Sequence, residues 1–230
     1  MIISVKNKQL RYAIICFISA LIISVFVKIK FIFPTIIDNS IHSFMAGIQT
    51  GLNDILMTVF SFLGSPILDV IYMLILAAIL LLANLRIPAI WAVTTIILGN
   101  IFNTIIRLSV DRSRPVGHLL SDQGSSFPSS HVFGIFSVIF ILSLLVIPNI
   151  ESPRKQFLIS WAITVIGVMT LMSRIYFNAH YLSDTIAAVL FAYAWIIFAG
   201  KLYPVLAKLL TSLSLSLIHI SEPTRHAQIS

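Results

Sequence analysis

Residues 127–147 read Phe127-Pro-Ser-Ser-His131-Val-Phe-Gly-Ile-Phe-Ser-Val-Ile-Phe-Ile-Leu-Ser-Leu-Leu-Val-Ile147. A Pro-Ser-Ser-His entry leads into an apolar run with no charged side chain. A membrane crossing needs about 20 predominantly apolar residues. Working outward, five other segments have the same character, at about 12–33, 67–83, 89–106, 157–173 and 185–200. The whole chain agrees: 58% of its 230 residues are hydrophobic and 10% are charged. A soluble domain carries about 25% charged residues. The mean hydropathy is +1.02. These features predict an all-α polytopic membrane protein of about six transmembrane helices, in one domain over residues 1–214.

Between the first and second spans, Pro34 to Pro66 mixes Asp38, His42, Gln49, Asn53 and Asp54 with apolar residues near helical spacing. This pattern predicts one or two interfacial amphipathic helices. The run Ile55–Leu63 is too short to cross alone and is read as an extension of the second span. Lys6, Lys8 and Arg11 precede the first apolar run, but Lys28-Ile-Lys30 follows it where a cleavage site would need small residues. An uncleaved span is expected there. The lone cysteine, Cys16, excludes an intrachain disulfide and a cysteine-based metal site. The net charge of +7 is not a nucleic-acid signal, because the spans leave no basic surface interleaved with aromatics.

With the N-terminus inside, eight basic residues lie on the inner side: Lys6, Lys8, Arg11, Arg86, Arg154, Lys155, Lys201 and Lys208. Six lie outside: Lys28, Lys30, Arg107, Arg112, Arg114 and Arg174. The four outer arginines stand among His, Ser and Asp residues and have a separate reason to be there. Without them the split is 8 to 2, which places both termini in the cytoplasm. The segment Leu215–Arg225 reads LSLIHISEPTR, which looks like a translated transposase sequencing adapter. Residues 215–230 are therefore set apart from functional reasoning.

Three polar clusters interrupt the apolar chain on the outer side. The first is Arg107-Leu-Ser-Val-Asp-Arg-Ser-Arg114-Pro115. On a continuing helix, Arg107 and Arg114 lie about two turns apart on one face, and paired guanidinium groups suit a phosphate. A solvated basic helix end with Asp111 pairing the arginines is the other reading. The second is Phe127-Pro-Ser129-Ser130-His131. It reads as an N-cap or as an anion site at a helix N-terminus. The third is Ser173-Arg174-Ile-Tyr-Phe-Asn-Ala-His180-Tyr-Leu-Ser-Asp184. A helix through it would put His180 and Asp184 on one face, as a surface pair or as a nucleophile and its orienting carboxylate. His42 and His118 read as interfacial or loop residues, Asp69 as a buried hydrogen-bond partner, and Arg112 as solvated.

In order and spacing, RLSVDRSRP, PSSH and SRIYFNAHYLSD resemble the three motifs of the type 2 phosphatidic-acid phosphatases, which are related to vanadium haloperoxidases. The resemblance covers about residues 64–200. Arg107 stands where that family usually has Lys, and Ser130 where it usually has Gly. Neither change removes a catalytic group. The resemblance implies a metal-independent lipid phosphatase with no cofactor. In it, Arg107, Arg114, Arg174, Ser129 and the Ser130 amide bind phosphate. His180 attacks phosphorus, Asp184 orients His180, and His131 serves as general acid and then base. It further implies a bacterial cell-membrane protein acting at the extracytoplasmic face on polyprenyl pyrophosphate, in preference to phosphatidylglycerophosphate or phosphatidic acid. The alternatives are a vanadate-dependent haloperoxidase and a transporter or scaffold with a degenerate site. The spans argue against the first, and the intact His180, Asp184 and His131 against the second.

Overall fold

Apolar runs in this chain become helices because hydrocarbon offers no partner to a backbone N–H or C=O, and a helix satisfies both internally. In the computed structural model, described over residues 3–117, 119 and 124–220 (without the side chains of Phe33 and 213–220), eight α-helices follow in order. They are α1 (Asn7–Lys28), α2 (Ile32–Gly47), α3 (Gly51–Leu63), α4 (Pro66–Leu82), α5 (Arg86–Val110), α6 (Ser130–Leu145), α7 (Pro153–Tyr176) and α8 (Leu182–Ile220). Five helices are long and apolar enough to cross a membrane, and α3 with α4, bent by 50° at the break, makes a sixth. The expected all-α polytopic fold is present. Gly64-Ser65-Pro66 forms the bend: Ser65 caps α4 by accepting from the Leu68 amide, and Pro66 opens the helix. The remaining amphipathic segment is α2, which at about 1.5 Å per residue is too short to span. The last span is longer than its apolar core suggests, continuing past Pro204 to Ile220. Residues 221–230, most of the adapter-like tail, lie outside the described residues, as does His118.

The bundle is arranged around α6, whose buried face includes Val132, Phe133, Ile135, Phe136, Val138, Ile139 and Ile141. Helices α4, α5, α7 and α8 pack on it, and α1 packs along α8. Between helices in a bilayer, packing and hydrogen bonding replace the hydrophobic effect, so small residues mark the close contacts. Ala187, Ala188 and Ala192 line α8 where it meets this core. A Cβ at Gly64 would overlap the Thr170 side chain, and one at Gly99 would come within 2.8 Å of Trp195 Nε1. Polar groups at these contacts are satisfied across helices. Trp91 Nε1 donates to the Ala199 carbonyl at 3.0 Å, Trp195 Nε1 to Thr95 at 3.0 Å, and Thr170 Oγ1 to Phe60 at 3.0 Å.

Asp69 departs from its expected role. It is buried, but neither carboxylate oxygen has a hydrogen-bond partner. The helix it faces offers Gly134 at that point, with no polar side chain to meet it. The same contact makes Gly134 obligatory, because a Cβ there would overlap the Asp69 carboxylate. Gly134→Ala should therefore lower stability by roughly 1–3 kcal/mol through overpacking. In an Asp69→Ala background the same change should become neutral or stabilising, since alanine is the better helix former by about 1 kcal/mol. Thermal unfolding of the four detergent-purified variants checks this. Additive effects would remove the contact from the explanation.

Candidate active site

The antiparallel order of the spans brings the end of α5, the start of α6, the end of α7 and the start of α8 to one end of the bundle. All three polar clusters are at these termini. The first is not one continuing helix. Helix α5 stops at Val110, and Asp111 turns the chain with a left-handed conformation (φ 50°), which Asp tolerates better than most residues. Arg107 and Arg114 nevertheless converge on the same short segment. Arg107 Nε donates to the Ser125 carbonyl at 2.8 Å, and Arg114 Nε to the Gly124 carbonyl at 3.1 Å. Arg107 Nη1 also reaches Ser130 Oγ at 3.3 Å, and Asn103 Nδ2 donates to that same oxygen at 3.2 Å.

Ser129 is the N-cap of α6 by position, but its side chain makes no cap hydrogen bond. Its hydroxyl is buried without a partner. A buried hydroxyl left unmade costs about 1–3 kcal/mol, so this position favours a ligand over the simple capping reading. His131 follows in the first turn of α6 and is partly buried.

The third cluster is built by the turn that ends α7. Asn178 adopts a left-handed conformation (φ 55°). The amides of Ala179 and His180 both donate to the Arg174 carbonyl, at 3.0 and 3.2 Å. This closure ties Arg174 and His180 together through backbone. Arg174 is 1% exposed and donates from Nη1 to Ser61 Oγ of α3 at 2.7 Å.

His180 precedes α8, so the expected single helix carrying His180 and Asp184 is not formed. Its Nδ1 donates to the Ser126 carbonyl at 2.7 Å, while the nearest Asp184 oxygen is 3.7 Å away. A carbonyl can only accept, so Nδ1 carries a proton, and in the neutral ring Nε2 then keeps its lone pair. Nε2 faces Arg114 Nη1 at 3.3 Å. Burial pushes the imidazole pKa below its ordinary 6.5, with Arg174 and Arg114 adding to the effect against the pull of Asp184. The lowered pKa favours the neutral ring, whose free nitrogen is directed at an arginine.

Asp184 is occupied elsewhere. One oxygen accepts from the Tyr181 amide at 3.0 Å, as the third residue of a helix does in a capping box. The other accepts from Arg112 Nη1 at 2.6 Å. Arg112, expected to be solvated, has a side chain only 14% exposed. It also pairs with Asp38 at 2.7 Å and lies over the Tyr181 ring, 3.8 Å from the centroid. Burial would lower its pKa, but Asp184 and Asp38 outweigh burial and raise it. Spacing gave no sign of Asp38, Ser61 or Ser126, because each meets the site through a contact distant in sequence. Among the described residues, no three His, Cys, Asp or Glu side chains are placed to hold a metal ion.

The sequence profile of the PAP2 superfamily matches residues 88–207. No curated protein gives a significant sequence match. Two crystal structures share the fold. The first transmembrane PAP2 type phosphatidylglycerolphosphate phosphatase from Bacillus subtilis is 17% identical, with a TM-score of 0.72 over 82% of this chain and 94% of its own. Aquifex aeolicus LpxE is 19% identical, with a TM-score of 0.51 over 72% of this chain and 93% of its own.

The lowered His180 pKa has a consequence for stability. His180 binds its proton more weakly folded than unfolded, so its contribution is complete above the unfolded value of 6.5 and declines as pH falls below it. Acidification from about pH 7.5 to about pH 5.5 should lower the thermal midpoint more steeply in the wild type than in His180→Gln. Parallel curves for the two proteins would contradict this environment for His180.

Proposed function

This chain belongs to the PAP2 superfamily, and from that premise we propose that it hydrolyses the phosphate or pyrophosphate of a membrane lipid through a phosphohistidine at His180. The observation that carries the reading is His180 itself: buried, neutral, protonated on Nδ1, with Nε2 facing Arg114. A nucleophile needs that lone pair, and its phosphoryl target needs the adjoining positive charge.

The steps follow the motif residues. A lipid phosphate enters with its oxygens toward Arg107, Arg114 and Arg174, and takes hydrogen bonds from the Ser129 hydroxyl and the Ser130 amide. His180 Nε2 forms a bond to phosphorus as the bond to the lipid oxygen breaks. His131 gives its proton to that leaving oxygen. The same imidazole, now neutral, takes a proton from water, which attacks the phosphohistidine and releases phosphate and free His180. Guanidinium groups stabilise the charge on the transferring group, the part a metal ion plays in other phosphatases. The substrate's tail stays in the bilayer beside the bundle. One structural relative, a phosphatidylglycerolphosphate phosphatase, is consistent with a lipid substrate. The sequence preference for polyprenyl pyrophosphate makes it the first of a panel that includes phosphatidylglycerophosphate and phosphatidic acid. The site's end of the bundle faces the extracytoplasmic side, with both termini in the cytoplasm.

Phosphate release from this panel by purified protein tests the activity. Turnover should persist in EDTA, stop with vanadate, and vanish in His180→Ala. Activity that chelation removes and a divalent ion restores would overturn the mechanism. His131→Ala should lose about 10²–10⁴-fold on a lipid monophosphate, the value of general acid–base help. It should lose clearly less in the first step with a nitrophenyl phosphate, whose phenolate leaves without a proton. Equal first-step losses on both substrates would make His131 a phosphate-binding group.

Orientation is tested separately. Val116 is 96% exposed in the connection after α5, and Glu151 is exposed in the turn before α7. Cysteines at these two positions, in a Cys16→Ser background, should react with an impermeant thiol reagent from opposite faces of the membrane. Reaction of both from one face would overturn the topology.

A further inference from the structure

Asp38 lies in α2, outside the residues matched by the family profile, yet it is built into the active-site end of the molecule. It is 2% exposed. Oδ2 accepts from Arg112 Nη2 at 2.7 Å and from Ser183 Oγ at 2.7 Å, and Oδ1 accepts from the Ser183 amide at 3.0 Å. Arg112 Nη1 donates in turn to Ser183 Oγ at 2.7 Å and to Asp184 Oδ1 at 2.6 Å. One carboxylate of α2 therefore holds both the guanidinium that grips Asp184 and the first turn of the helix that carries Asp184. We propose that Asp38 is a positioning residue for phosphoryl transfer, fixing Arg112 and the start of α8 so that Asp184 stays beside His180. The proposal rests on the assignment of His180 as nucleophile.

The outer side of α2 adds to the meaning of this contact. Ile32, Ile36, Ile37 and Phe44 are exposed on it, as suits a helix lying in the membrane interface. Through Asp38, a helix seated against lipid is joined to the group that holds the nucleophile's neighbour.

Charge gives the proposal a signature that simple support of the fold lacks. Asp38, Arg112 and Asp184 together carry one negative charge. Arg174 at the end of α7 and Arg114 in the connection after α5 also act on His180, and the neighbouring Tyr181 lies under Arg112. Making Asp38 neutral leaves the trio with no net charge, so the field at His180 becomes more positive and disfavours the imidazolium. The acidic limb of the kcat profile, where His180 must lose its proton to attack, then moves to lower pH. Removing the charge of Arg112 leaves two negative charges and moves the limb to higher pH.

The experiment measures kcat and KM against pH, on one lipid phosphate, for wild type, Asp38→Asn, Asp38→Glu, Arg112→Gln and His180→Ala. Asp38→Asn should lower kcat on the order of 10²-fold, the cost of a misplaced reacting group. KM should stay within about threefold, because the loss is in the transition state and not in ground-state binding. The acidic limb should move down in Asp38→Asn, move up in Arg112→Gln, and return toward the wild-type position in Asp38→Glu. A wild-type kcat and limb in Asp38→Asn would overturn the proposal, as would a loss of activity with no opposed shifts. If Asp38→Asn does not fold, the upward limb in Arg112→Gln decides, and an unmoved limb there refutes the linkage. Turnover persisting in His180→Ala would instead refute the nucleophile assignment.

Discussion

Arg112 sits between two carboxylates from different helices, and much of the active-site end depends on that arrangement. Its guanidinium bonds Asp38 of α2 and Asp184 of α8 at 2.7 and 2.6 Å. Both acids are almost fully enclosed. Removing one partner from such a buried pair typically costs 3–5 kcal/mol, because the charge left behind has neither water nor a counter-ion. The geometry of the ion cluster is therefore fixed more firmly than an exposed pair would be. That rigidity is transmitted to α2, to the start of α8 and to the connection that follows α5. Each of these three pieces carries or adjoins a group of the proposed phosphate site.

The division of labour between Asp184 and Ser126 follows from this. A carboxylate already committed to Arg112 and to the Tyr181 amide stands 3.7 Å from the imidazole, beyond direct hydrogen-bond reach. The Ser126 carbonyl takes the Nδ1 proton instead. The tautomer is set by a neutral acceptor, and Asp184 contributes through its field. A neutral partner suits the nucleophile role proposed for His180, since a carboxylate bonded directly to Nδ1 would pull the imidazole toward its charged form.

The spans, their order and the three polar clusters were legible because hydrophobicity and short-range spacing are local properties. So was the amphipathic nature of the segment before α3. What could not be read was anything decided by contacts distant in sequence. Arg112 looks like one more arginine in a basic stretch, and its partners are 74 and 72 residues away. The seven-residue spacing of Arg107 and Arg114 fits two helical turns, while the break at Asp111 is a backbone choice that composition does not enforce. An apolar stretch points Asp69 inward, but the absence of a partner depends on what α6 presents at Gly134.

Topology explains why three motifs so far apart can form one site. In an up-and-down bundle with short inner connections, alternate helix termini return to the same end. Helix α5 finishes there, α6 begins there, α7 finishes there and α8 begins there. Each motif could therefore be short, needing only to decorate one terminus. Helix termini also leave backbone amides and carbonyls unpaired by the helix itself, and this end of the bundle uses them. The Arg174 carbonyl closes α7 over Ala179 and His180, the Tyr181 amide is taken by Asp184, and the carbonyls of Gly124, Ser125 and Ala179 hold the arginine forks in place. Carbonyl acceptors of this kind orient a guanidinium through its N–H groups. Arg112, bound by two carboxylates, ties α2 to α8, whereas backbone oxygens of the neighbouring connections orient Arg107 and Arg114.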